Sequence, residues 1–174
     1  MPDRISALTN GVERRLEAER QSWHNGFDRI AADLNSKFAK HGVFGGSAHQ
    51  HEMRRLCVSE LHRRSVLTVD ALLLEHKNRS ESPRDTVAAG CKDWLANRIA
   101  EEAAELQSHF WRPSPAFGGS ETRDNLDDSC KAEIQSVFAC VDSYMGQLRG
   151  ARTERGMRRA TRMLAWIRKA LRLP

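Results

Sequence analysis

No apolar run in this chain is long enough to cross a bilayer. The longest, Val66 to Leu74, is broken by Thr68 and Asp70, and a spanning helix needs about 20 apolar residues. The four cysteines, Cys57, Cys91, Cys130 and Cys140, contain no C-x-x-C pair, which excludes a disulfide scaffold and the usual zinc ribbons. Met1 to Asn10 is mixed and polar, without a basic stretch leading into an apolar one. The expectation is therefore a chain with no secretory leader and with free thiols in a reducing cytoplasm. The Asn78-Arg79-Ser80 sequon carries no meaning on that route. Strand-like alternation, low-complexity tracts and tandem repeats are all missing, which argues against a β or fibrous protein.

Catalytic signatures are missing as well. G-x-S-x-G does not occur, and the Gly45-Gly46-Ser47 turn lacks both the spacing and the lysine of a P-loop. Its reading is a helix-hairpin turn. His24, His41, His62 and His76 include no i, i+4 pair and no cysteine at zinc spacing. Di-iron bundles need Glu-x-x-His on two helices, and that motif is absent. The nearest approach is Glu102, Glu105 and His109 on one side of a helix, with His49 and Glu52 opening another. These read as a solvated charged flank and a histidine near a cap. No catalytic set, metal site or cofactor is predicted, and a small-molecule substrate is not identified.

What is present is helical periodicity along 174 residues, 40% of them hydrophobic and 29% charged. Ile5, Leu8, Val12, Leu16, Trp23, Phe27, Ile30, Leu34 and Phe38 fall within about 60° of one line on an ideal helix. Their eleven-residue recurrences stay nearly in phase with a straight helix. The spacing predicts one helix over 4–40, roughly 55 Å long, weakened locally at Gly11 and Gly26. Gly42 supplies a left-handed stop.

Ser47 with Gln50 three residues on has the form of a capping box, opening a second helix over about 48–77. That helix is one-sided in its first half, with Met53, Leu56, Cys57 and Leu61. In its second half, from Val66 to Leu74, it is apolar almost all round. Such a stretch belongs to a bundle centre or an oligomer contact. Ser82-Pro83-Arg84-Asp85 reads as a cap, an N1 proline and a first-turn acid. It opens a third helix over about 83–110, which buries Val87, Cys91, Trp94, Leu95, Ile99, Leu106 and Phe110. Arg112 to Arg123 is the longest linker. A fourth helix over about 125–149 carries Leu126, Cys130, Ile134, Val137, Val141, Met145 and Leu148 on one stripe.

The predicted fold is all-α: four long helices in an up-down bundle or elongated helical hairpins, followed by a short amphipathic C-terminal helix. Residues 1–149 form the helical domain and 150–174 the C-terminal helix. Helices of this length favour coiled-coil-like packing and self-association or a protein partner.

Two constellations stand out. Glu60 and Arg64 are spaced i, i+4 on the side of the helix that also carries Met53 and Leu67, and Arg98 and Glu102 are spaced likewise. If buried together they form a polar layer that fixes helix register.

The second is the tail. Residues 149–174 hold nine Lys/Arg and one acid, Glu154, a net of +8, whereas residues 1–148 hold 19 and 22, a net of −3. Beyond Gly156 a new apolar stripe contains Leu164, Ile167 and Leu171. Arg155, Arg158, Arg159, Arg162, Lys169 and Arg172 lie opposite, with Trp166 at the edge. A cationic amphipathic helix with an edge tryptophan suits an anionic membrane surface. The predicted role is a helical interaction protein, cytoplasmic and peripheral at the inner membrane face. The alternatives are a nucleic-acid-associated protein using the same arginines, although no groove-reading motif accompanies them, and, behind it, a ligand- or metal-binding helical bundle.

Overall fold

A computed structural model describes residues 2–79, 85–110 and 126–150, and every element among them is an α-helix. The eleven-residue apolar spacing becomes α1 (Pro2–Lys40), which buries Leu8, Val12, Leu16, Trp23 and Phe27. Then come α2 (Ser47–Asn78), α3 (Asp85–Phe110) and α4 (Asp127–Gly150). The 82–85 cap, the 112–123 linker and the C-terminal helix fall wholly or largely outside the described residues.

α1 ends as its sequence predicts. Gly42 adopts φ +68°; its N–H donates to Ala39 O (3.0 Å), and Val43 N–H donates to Phe38 O (3.1 Å). These two bonds are a Schellman stop, which a side chain at residue 42 would strain. The start of α2 differs from the capping-box expectation. Its N-cap is Gly46, not Ser47, and no side chain caps it. Gln50 N–H donates to Gly46 O (3.0 Å), while the Gln50 side-chain amide reaches back to Gly45 O (3.2 Å). Because the Gln50 N–H that a Ser47 cap would need is already taken by Gly46 O, Ser47 lies inside the first turn; Gly45, at φ +80°, gives its N–H to His49.

Side-chain contacts fix the helix directions. Asn35 meets His49 at one end of the α1–α2 pair, and Ala7 meets Arg79 at the other, so these two helices run antiparallel. Contacts from Cys57 to Leu106 and from Arg64 to Glu102 make α2 and α3 antiparallel. The Lys92–Asp142 pair, with Leu126 N–H donating to Gln107 Oε1 at the other end, does the same for α3 and α4. His62–Glu133 and His76–Tyr144 run α2 and α4 side by side in the same direction.

α2 and α3 form the central pair, each packing on every other helix. α1 and α4 flank that pair and do not form the extended contact that would close a square ring. This explains the apolar second half of α2. Val69, Ala71, Leu72 and Leu73 are all buried because the helix is covered from three sides. Two glycines sit where side chains of neighbouring helices press close. A Cβ at Gly11 would collide with the Glu75 carboxylate, and one at Gly90 with the Ile5 side chain.

One part of the α1 stripe is not covered. Ile30 is 51% exposed, although its phase matches Phe27. The parallel contact of His24 with Glu105 places the end of α3, Phe110, level with about residue 29 of α1. Beyond that level α2 alone accompanies α1 among the described helices. The α1–α2 hairpin therefore projects by about 15 Å, the rise of ten residues. An open groove of about 820 Å³ runs along this projection between Leu34 and Phe38 on one side and Ala48 and Arg55 on the other.

Candidate functional site

The four residues of the expected polar layer, Glu60, Arg64, Arg98 and Glu102, are brought together between α2 and α3. Helical spacing puts Glu60 below Arg64 on α2, and Arg64 Nε donates to Glu60 Oε1 at 2.8 Å. Antiparallel packing then places Glu102 and Glu105 of α3 across from the guanidinium. Nη1 donates to Glu102 Oε2 (2.6 Å) and to Glu105 Oε1 (3.0 Å). Arg98 closes on the other oxygen of Glu102, and Arg63 grips Glu60 through two bonds, of 2.8 and 2.7 Å. α1 supplies the lid: the Arg64 guanidinium lies 5.9 Å from the Phe27 ring centre, and Arg63 lies 5.4 Å from Trp23. His24 Nδ1 approaches Glu105 at 3.2 Å.

Arg64 is 1% exposed, so its charge is expensive unless its donors are met. They are met by three carboxylates. Burial works against the charge, but the hydrogen bonds that Arg64 donates to Glu60, Glu102 and Glu105 outweigh it and hold the guanidinium above its ordinary range. At Glu60 burial favours the protonated acid, but hydrogen bonds from Arg63 and Arg64 outweigh it and keep the carboxyl below its usual value. Arg98 also pairs with the exposed Glu101 (3.3 Å), so glutamates fully offset the three arginines and no excess positive charge is left to attract an external anion. Such a layer locks the helices in one register, because a one-turn slip of α3 would set Arg98 or Leu106 in place of Glu102 opposite Arg64.

The same pairing answers the metal question for these residues. Glu102 and Glu105 are spent on Arg64, Glu52 pairs with Arg55 (3.1 Å), and His49 turns to Asn35. The described residues contain no group of three ligating side chains. Cys57 and Cys91 are buried and Cys130 and Cys140 half-buried, and none of the four is in a disulfide. Burial pushes the Cys57 thiol up to about 11, which keeps it protonated and unreactive at neutral pH.

Several contacts carry no signal in the sequence. His62 Nδ1 meets Glu133 at 2.9 Å and ties α2 to α4. His76 and Tyr144, both buried, meet edge to face with ring centres 5.7 Å apart. Lys92 pairs with Asp142 (2.6 Å) while lying 5.3 Å from the Phe138 ring centre. Each joins residues 50 to 71 positions apart, whose helix phases are independent in the sequence. Glu105 is the exception. It stands one turn beyond Glu102, so once Arg98 and Glu102 are assigned to a buried face, Glu105 follows at its edge.

The tail residues, Arg155, Arg158, Arg159, Arg162, Leu164, Trp166, Ile167, Lys169, Leu171 and Arg172, lie outside the described residues. No described helix is long and apolar enough to cross a membrane. No protein-family model, curated protein or solved structure matches this chain.

Proposed function

We propose that this chain acts by binding: an elongated helical frame, residues 1–149, carries a short cationic helix, residues 150–174, that docks on the anionic inner face of a membrane. The frame supplies self-association or a protein partner through its long helices. The observation that carries the reading is the division of charge, +8 in residues 149–174 against −3 in residues 1–148. Support comes from the frame, whose buried arginines are neutralised by its own glutamates. The excess positive charge available to a partner therefore belongs to the tail.

The mechanism adds two terms. Each Lys or Arg near an anionic bilayer contributes about 1 kcal/mol. Insertion of Leu164, Ile167 and Leu171 adds apolar burial, with Trp166 at the headgroup level. Co-sedimentation of the full chain with anionic and neutral vesicles tests this. Arg162→Glu with Lys169→Glu is expected to abolish anionic binding while leaving the helical content of the frame unchanged. Replacing Leu164, Ile167 and Leu171 by Ser is expected to weaken it strongly. Unchanged binding in both variants overturns the proposal. Loss of vesicle binding with retained binding to duplex DNA or RNA in the Ser variant transfers the tail to nucleic acid, because phosphate contacts need only the basic side.

A further inference from the structure

His49, one turn into α2, closes the α1–α2 hairpin through both of its ring nitrogens. The ring is 8% exposed and lies between Phe38 of α1 and Phe44 of the turn, with ring centres 5.0 and 4.7 Å away. Gly45 N–H, which can only donate, points at Nδ1 (3.1 Å). Nδ1 must therefore be bare, and the single proton of the neutral ring sits on Nε2, which donates to Asn35 Oδ1 at 2.7 Å. One nitrogen holds the turn and the other holds α1.

We propose that His49 is an acid-operated latch: neutral, it fastens the turn 41–46 to the hairpin, and on protonation it releases the turn while keeping hold of α1. The imidazolium carries a proton on both nitrogens. Nε2–H still donates to Asn35, but Nδ1–H now opposes Gly45 N–H, and neither group can accept. Flipping the ring does not restore the bond, because both nitrogens are then donors. The turn must swing away, and Phe38 and Phe44 lose the ring packed between them. The groove beside Phe38 and Ala48 opens with it.

The surroundings offer the imidazolium no compensation. α1 brings the uncharged Asn35 and Phe38, with Asp33 and Lys37 exposed on the same stretch, and the turn brings Phe44 with His41 exposed. α2 brings Glu52, whose carboxylate pairs with Arg55, and the exposed His51. No carboxylate among the described residues pairs with the His49 ring. Burial holds its pKa below the usual histidine value, so the latch is closed at neutral pH and opens below about pH 6.5. Release is confined to the turn; His24 and His62 lie elsewhere in the frame, facing Glu105 and Glu133 between helices.

Two measurements on the full chain test this. Nitrogen NMR of the ring near neutral pH is expected to find the proton on Nε2; a proton on Nδ1 overturns the latch. Amide exchange at Gly45, corrected for its intrinsic pH dependence, is expected to lose protection about ten-fold per pH unit below the His49 pKa, with amides around Leu72 unaffected. His49→Gln keeps both bonds without titrating, its Oε1 accepting from Gly45 and its Nε2–H donating to Asn35. It is expected to hold constant protection. Constant protection in the wild type, or an equal loss in H49Q, overturns the proposal. If H49Q does not fold, the wild-type loss must follow the ring's own titration curve; a loss at another pH overturns it.

Discussion

At the scale of single residues, the interior of this protein rests on polar groups that are tolerable only in combination. Arg64 needs Glu60, Glu102 and Glu105 together. Arg64→Met is expected to cost about 3–5 kcal/mol in urea denaturation at neutral pH, because three carboxylates lose their common partner. Adding Glu60→Gln and Glu102→Gln is expected to recover part of that loss; a single-variant cost under about 1 kcal/mol would mean a solvated layer. The acid limb has a definite sign. The folded pKa of Glu60 is depressed, so its contribution is complete above its unfolded value and disappears as pH falls through the folded one. Tyr144 works at the alkaline end. Burial raises its hydroxyl to about 12, so its contribution is complete below the unfolded pKa of about 10 and is lost as pH rises through the folded value. It is the chain's one tyrosine. Tyrosinate absorbance is thus a single-site probe, expected to appear together with unfolding; ionisation with the helices intact would refute the buried placement.

At the scale of elements, the helices follow from local spacing, whereas their caps and covered faces follow from neighbours. Expected bounds of 4–40, 48–77, 83–110 and 125–149 lie within two residues of the observed helices at every end, because apolar recurrence at three and four residues is a property of each segment alone. Gly42 was equally legible, since a glycine one position past the last apolar turn has few other roles. Ser47 has the pattern of a cap, but Gln50 N–H bonds to Gly46 O, which starts the helix one residue earlier and puts Gly46 at the cap. Ile30 was misread because coverage depends on where α3 ends.

The glycines separate these causes. Gly26 and Gly146 have open space where a Cβ would be, so Gly26→Ala and Gly146→Ala are each expected to stabilise by about 0.5–1 kcal/mol through helix propensity. Gly42→Ala, at positive φ, is expected to destabilise by about 1 kcal/mol. Thermal midpoints moving in one direction for all three would contradict this division.

At the scale of the whole molecule, charge separates a neutralised interior from a cationic terminal segment. The two respond differently to salt. Ion pairs around Arg64 are buried and little screened, whereas the proposed docking of residues 150–174 on an anionic surface would act across water. Raising ionic strength is therefore expected to detach the chain from anionic vesicles while its unfolding midpoint barely moves. Binding that persists at high salt would mean that apolar insertion, rather than charge, dominates the docking. The projecting hairpin tip is the other whole-molecule feature. It arises because α1 and α2 are longer than the helices that pack beside them.

The sequence by itself determined the all-helical class, the extent of the four described helices, the Gly42 stop and the placement of the excess positive charge in the last 26 residues. All of these depend on residues near one another in the chain, where spacing is geometry. Glu60, Arg64, Arg98 and Glu102 were legible as two separate pairs for the same reason. Only the tertiary structure decided that the pairs share one layer, that α2 and α3 are central, and that His49 holds a turn on one nitrogen and a helix on the other. Those outcomes depend on the relative rotation and stagger of helices, and packing the whole set of side chains selects both at once.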